Sequence, residues 1–116
     1  MAFEASCHCG KVACRIEADL PATAFECNCS HCRRKGFLFA FFPRDRFSLL
    51  RGEEVLKSYF FNKHAIEHRF CAECGTQPFA LGKMPDGSPM AGINLRCVEE
   101  VDLVALERQP VDGAKF

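Results

Sequence analysis

At 116 residues the chain has room for one domain, expected to run from residue 1 to 116, and folding at this size buries roughly 65% of the surface that the unfolded chain exposes. Fifteen basic and fifteen acidic residues give a formal net charge of zero, which argues against nucleic acid as a partner, since a nucleic-acid binder shows a basic excess. Nine cysteines, an odd number gathered in twos and threes, argue against a secreted disulfide scaffold, and no apolar run follows a basic amino terminus, so a cytoplasmic protein is expected whose thiols bind metal or do redox work. Twelve phenylalanines and an apolar fraction of 48% mark a globular chain rather than a disordered one. The longest aromatic run, "FLFAFF", is far shorter than the ~20 residues that cross a bilayer, so no membrane segment is expected.

In chain order, "GKVACRIEA" alternates, with Val12, Cys14 and Ile16 on one side and Ala13, Arg15 and Glu17 on the other, as in a half-buried strand. Cys14 is therefore read as a small core residue. "SHCRRK" predicts a short turn of helix with Ser30 as its cap. "FLFAFF" is apolar on both faces and stops at Pro43, which predicts a fully buried strand. "VLKSYFF", "IEHRF", "QPFAL" and "AGINLRC" are further strand-like runs separated by Gly, Pro, Asp and Asn. "VEEVDLVAL" fits either a second helix or a loop leading to a final strand. The sum is a mainly β domain of short strands joined by tight turns.

The cysteines fall in three groups: "CHC" at Cys7 and Cys9, "CNCSHC" at Cys27, Cys29 and Cys32, and "CAECG" at Cys71 and Cys74. A C-x-x-C turn lets two thiolates reach one ion, and Gly75 allows the backbone to fold back. Two ligands do not close a tetrahedral zinc site, and "CHC" is the candidate second pair. Cys27, Cys29 and Cys32 then form a second cluster, read either as redox thiols or as three ligands of a catalytic zinc with an open fourth position. If a protein ligand closes that site, His8, His31, His64 and Cys97 are the candidates, with His31 disfavoured because it lies inside the loop. An open site of three thiolates suits a soft incoming ligand, another thiolate, better than water. Seven zinc-bound thiolates and two Zn2+ change the formal charge by −7 + 4, from zero to −3, which weakens the case for nucleic acid further.

Arg33, Arg34 and Lys35 follow the second cluster directly, and are either a solvated face or an anion clamp for a carboxylate-bearing substrate. His64 and His68 sit four apart, as a helical metal pair would, but their surroundings read as extended. Asn94 and Arg96 share one face of a predicted strand and read as ordinary surface.

Taken together, "SCHCGKV", "CNCSHCRRKG", "FSLLRGEEVLKSYFF", "HRFCAECGTQPF", "INLRCVEEVDL" and the terminal "VDG" resemble the glutathione-dependent formaldehyde-activating enzyme family, also known as the centromere-protein-V-like family. The segments run in family order over nearly the whole chain. The resemblance implies a zinc-binding β-tent fold of short antiparallel strands, with two zinc ions per chain. Cys7, Cys9, Cys71 and Cys74 match the family's structural site, and Cys27, Cys29 and Cys32 the site credited with catalysis. It also implies a carbon–sulfur lyase acting on a thiol adduct, with glutathione plus formaldehyde giving S-hydroxymethylglutathione. Folds of this type also serve as non-enzymatic protein-interaction modules, the alternative expectation here.

Overall fold

The computed structural model describes residues 1–61 and 66–115. Alternation of apolar and polar residues builds a small sheet from β1 (Phe3–Ser6), β2 (Ala13–Ile16) and β5 (Phe47–Arg51), in the order β1-β2-β5. Phe3, Ala5, Cys14, Ile16 and Phe47 point inward from it, while Glu4, Arg15 and Ser48 face solvent. Cys14 is thus the core residue that its alternation predicts.

A larger sheet takes β3 (Thr23–Cys27), β4 (Phe39–Pro43), β6 (Leu56–Tyr59), β7 (Glu67–Cys71), β8 (Phe79–Lys83), β9 (Pro89–Asn94) and β10 (Glu107–Val111). Its order is β10-β3-β4-β9-β8-β7-β6, antiparallel throughout except for β10, which runs parallel to β3. The mainly β expectation is met. "VEEVDLVAL" resolves as a series of turns, and the strand begins just beyond it at Glu107.

The two sheets share one core. Phe47 of the small sheet meets Phe79 of the large one at a ring-centroid distance of 4.7 Å, and Phe3 meets Phe42 edge-on at 5.7 Å. Leu38, Ala40, Ala91 and Ile93 complete this interior. Period-two alternation sends the other side chains of the same strands to the far face of the large sheet. There Cys32, Phe37, Phe39 and Ala80 form a second, smaller apolar cluster, with Cys27 and Cys29 packed against it. The expectation that "FLFAFF" is buried on both faces needs correcting for this reason. Phe39 and Ala40 are buried, but Phe41 stays 39% exposed at the rim of a cavity on the far face.

The one α-helix among the described residues, α1 (Ser30–Lys35), closes over that far face. Its cap is Cys29 rather than Ser30. Cys29 is still extended, and its Sγ accepts the Cys32 N–H at 3.2 Å, so the helix starts one residue earlier than the sequence suggests. Gly36, at φ 73°, ends the helix in the left-handed conformation and donates its N–H to Cys32 O. No helix of the described residues is long and apolar enough to cross a membrane.

Candidate metal centres

The first cysteine centre joins the loop after β1 to the turn after β7. Gly10 and Gly75 both hold positive φ, 81° and 79°, and each donates its N–H back to the first cysteine of its turn, Cys7 O and Cys71 O. The two turns fold face to face, and Lys11 Nζ bridges them through Glu73 at 3.0 Å. All four Sγ atoms of Cys7, Cys9, Cys71 and Cys74 lie within 4.8 Å of one another. The Cys7–Cys9 and Cys9–Cys71 sulfur separations are 3.6 and 3.7 Å. A tetrahedron with zinc–sulfur bonds of about 2.3 Å has sulfur–sulfur edges of about 3.8 Å, so this donor set fits zinc in both chemistry and size. The same separations are far beyond a disulfide bond of about 2.05 Å.

The protonation states agree with a site built for a cation. Burial pushes the Cys74 thiol up, but hydrogen bonds from the backbone of Cys9 and Thr76, the Thr76 hydroxyl and the Cys71 thiol outweigh it and lower it to about 5. Cys9 goes the other way, to about 11: a backbone hydrogen bond at Lys11 lowers it, but burial and its contacts with the Cys7, Cys71 and Cys74 thiols together raise it. Cys74 forms a thiolate readily while Cys9 keeps its proton, because adjacent negative charges repel without a cation between them.

The second centre gathers Cys27 at the end of β3, Cys29 at the helix cap and Cys32 in the first turn of α1, again with sulfurs within 4.8 Å. The Cys29 N–H donates to Cys27 Sγ at 3.4 Å, and the Cys32 N–H to Cys29 Sγ. For Cys29, burial acts upward but is outweighed by the backbone and side-chain hydrogen bonds of Cys32, the Cys27 thiol and the His31 N–H, so its thiol lies below the usual range. Cys32 is pushed well above it by burial and by the adjacent Cys29 and Cys27 sulfurs. These three thiols also suit a soft divalent ion.

No histidine, carboxylate or further cysteine ligand atom joins Cys27, Cys29 and Cys32 among the described residues. Of the candidates for closing the site, His31 packs its ring against Tyr59, Phe61, Phe37 and His68, with the His68 ring centroid at 4.3 Å. His8 is exposed beside the first centre. Cys97 donates to Gln77 O at 3.7 Å and belongs to neither group. His64 lies outside the described residues.

The carboxyl-terminal segment straps across this second centre. Asn28 donates its backbone N–H to Val111 O at 3.1 Å and its side-chain amide to Asp112 Oδ1 at 3.0 Å, and its Oδ1 accepts the Ala114 N–H at 2.9 Å. Gly113 then passes so close that a Cβ there would collide with Cys27 Sγ and lie 3.4 Å from Cys29 Cβ. Two cavities open on the thiols. One, about 590 Å³, is lined by Cys27, Cys32, Asn28, Arg33, Glu26 and Asp112 among others. The other, about 300 Å³, is lined by all three cysteines, His68 and a wall of aromatic and aliphatic side chains. Arg33 and Arg34 therefore part company: Arg33 lines the polar cavity, whereas Arg34 Nη1 donates to Ser30 O at 2.8 Å on the helix's own surface.

His68 lies on a strand as its extended surroundings predict, but its burial beside the second centre is not visible in the sequence. It is 2% exposed on β7, and Gln77 Nε2 lies 2.8 Å from its Nδ1 while also donating to Phe79 O. Because that amide nitrogen is a donor, Nδ1 accepts and the ring proton sits on Nε2. Asn94, read from sequence as surface, is instead buried beneath this pair. It donates to Gln77 O at 3.0 Å and accepts the Arg96 N–H at 3.2 Å, while Arg96 Nε reaches Gly36 O at 2.6 Å.

Residues 2–110 match the family of glutathione-dependent formaldehyde-activating enzymes. The chain belongs to that family. A crystal structure of a Rhodobacter sphaeroides protein, solved as a structural-genomics target, superposes with a TM-score of 0.80 at 30% sequence identity. The match covers 93% of this chain and 98% of that one. Both cysteine centres lie wholly within the stretch matched to the glutathione-dependent formaldehyde-activating family, whereas the strap contacts, from Val111 onward, lie past it.

Proposed function

We propose that the protein is a zinc-dependent carbon–sulfur lyase-type enzyme acting on a thiol adduct, with glutathione and formaldehyde as the reference pair. In this reading Cys7, Cys9, Cys71 and Cys74 hold a structural zinc, and Cys27, Cys29 and Cys32 hold a catalytic one. The observation that carries it is the second centre: three thiols together, no fourth protein ligand atom among the described residues, and two cavities opening on them. Residues 1–116 then act as one domain, and the clustered thiols suit the reducing cytoplasm.

Adduct formation needs a sulfur–carbon bond to form, the carbonyl π pair to move onto oxygen, and the thiol proton to end on that oxygen; the reverse is the lyase direction. A zinc bound by the three cysteines supplies an acidic position that favours thiolate over thiol at neutral pH. The protein's own groups do the rest. Arg33 pairs with a carboxylate of the thiol substrate from the polar cavity, and Glu26 and Asp112, which line the same cavity, add negative charge that suits an ammonium. His68, with Nδ1 held by Gln77, offers its Nε2–H to the oxygen on which charge develops.

Native mass spectrometry tests the metal count: two zinc per chain are expected, and a folded protein saturated at one contradicts the two-centre reading. Calorimetry on zinc-loaded protein tests the chemistry. Glutathione should bind more tightly than S-methylglutathione, which keeps the carboxylates but supplies no thiolate. Equal affinities would remove sulfur–zinc contact from the mechanism and favour the non-enzymatic interaction module.

A further inference from the structure

The thiols of the second centre form a ridge between two cavities that differ in their charged lining, since Cys27, Cys32 and Val111 line both. The polar side carries Glu26, Arg33 and Asp112. The other side is walled by Phe25, Phe39, Phe41, Phe61, Ile66 and Met90, and no charged residue is among its described lining. At about 300 Å³ it has the room of about ten waters, which is the lower end of ordinary small-molecule pockets. A hydroxymethyl group, one carbon and one oxygen, leaves nearly all of it empty.

Packing does not account for this wall. Phe25, Phe41 and Ile66 are 38%, 39% and 41% exposed, and they sit together at the mouth of the cavity instead of scattering over the surface. Phe25 and Phe41 pair at 5.5 Å between ring centroids, so the mouth is held open by rings braced on each other. The charged body of a peptide thiol cannot be desolvated there without a partner. It fits the polar side, which leaves the apolar side for whatever is attached to the sulfur.

We propose that the carbon half of the adduct handled here is a bulky apolar aldehyde, aliphatic or aromatic and of about six carbons or more, rather than formaldehyde. This rests on the reading of the second centre as a thiol-adduct site. The adduct is the thiohemiacetal formed when the thiol sulfur bonds to the aldehyde carbon, the carbonyl oxygen takes the π pair, and the sulfur's proton moves to that oxygen. Its sulfur lies on the cysteine ridge, its carboxylate-bearing half lies toward Arg33, and its hydrocarbon chain lies between Phe25, Phe41 and Ile66. His68, the polar group in that wall, is placed beside the adduct's hydroxyl.

The test is calorimetry on zinc-loaded protein with glutathione, S-methylglutathione and S-hexylglutathione, repeated on Phe25→Ser and Ile66→Ser variants whose folding is checked by thermal melting. Both positions are more than a third exposed, and two separate variants guard against one failing to fold. S-Hexylglutathione should bind at least tenfold more tightly than S-methylglutathione, and both variants should reduce that preference to about threefold or less. Equal binding of the hexyl and methyl forms, or a hexyl preference that survives both substitutions, overturns the proposal while leaving the thiol reading intact. Tight hexyl binding with no binding of glutathione sinks the thiol-at-metal reading and, with it, the thiohemiacetal assignment. Sedimentation of the same samples covers the competing occupant. A dimer dispersed by Phe25→Ser assigns the wall to a second copy of the chain and overturns the proposal.

Discussion

The two cysteine centres use the same donor atom and differ in everything around it. At the first, two turns face each other, four sulfurs sit within 4.8 Å, and a Lys11–Glu73 ion pair ties the turns together from outside. At the second, three sulfurs come from one short stretch of chain and the remaining walls are supplied by a helix, a sheet face and the carboxyl-terminal strap. The sequence separation within each centre explains the difference. The two pairs are distant in sequence, with Cys9 and Cys71 lying 62 residues apart, so closing that site fixes long-range structure. Cys27 to Cys32 are already neighbours, so that site is free to stay open. On the proposed roles, a ligand lost from the first centre undoes the fold, and one lost from the second undoes only the site.

Cys74→Ser and Cys29→Ser put that contrast to its hardest test. Metal affinity at a site joining distant segments feeds directly into folding free energy. Cys74→Ser should cost several kcal/mol, a fall in melting temperature of about 10–20 °C for a chain of this size. Cys29→Ser should stay within about 5 °C of wild type while retaining less metal. Equal losses in the two variants would erase the distinction between the centres.

The second effect is an acid sensitivity specific to the second centre's surroundings. Burial, with smaller contributions from His31 and Lys35, lowers the His68 pKa from 6.5 to about 4. Between these values the unfolded chain binds a proton that the folded chain refuses, so stability rises with pH across that window. The contribution is fully present above about pH 6.5 and is lost as pH falls toward 4, with an upper bound of about 3 kcal/mol. Cysteine ligands also take up protons in acid, so the informative quantity is the difference between wild type and His68→Gln. Denaturant unfolding at pH 7 and pH 5 should show the wild type losing more stability than the variant. Parallel losses would show that His68 takes up its proton as readily in the folded chain as in the unfolded one.

Gly113→Ala is a subtler probe, because it touches only the strap. The added methyl collides with Cys27 Sγ, and overpacking of this kind costs about 1–3 kcal/mol. The expected result is a folded protein whose metal content under mild chelation drops toward one ion, with the first centre retained. Unchanged content would mean that the strap yields without disturbing the sulfurs.

Much of this was legible in the chain because cysteine spacing and period-two alternation are local signals. "CHC" and "CAECG" announce paired ligands wherever they fall, and the alternation of Val12, Cys14 and Ile16 fixes which side of β2 is core. What escaped depends on which strands become neighbours. His68, Gln77 and Asn94 lie on three different strands or their approaches, and only the order β9-β8-β7 brings them into one network. Asn94 looked like surface because its partner is a backbone carbonyl seventeen residues away. The apolar run "FLFAFF" promised burial on both faces, since hydrophobicity alone does not distinguish a core from the wall of a cavity.

The smallest structural change separates two adjacent arginines. Sequence treats Arg33 and Arg34 as one basic run, but one helical step turns them through about 100°. Arg33 lines the polar cavity beside Cys27 and Cys32, and Arg34 returns to the Ser30 carbonyl at the helix's own surface. Neither is buried, so Ala at either position should leave the melting temperature nearly unchanged. Binding should divide them. Loss of a charge-assisted hydrogen bond is worth about 1.5–3 kcal/mol, so Arg33→Ala should weaken glutathione binding about ten- to a hundredfold, and Arg34→Ala by less than about threefold. The effect of Arg33→Ala should also shrink as salt rises, because the partner is a carboxylate in a cavity open to solvent. Calorimetry at two ionic strengths measures both quantities. If the two variants weaken binding equally, the run acts as a diffuse positive field and Arg33 holds no carboxylate of its own.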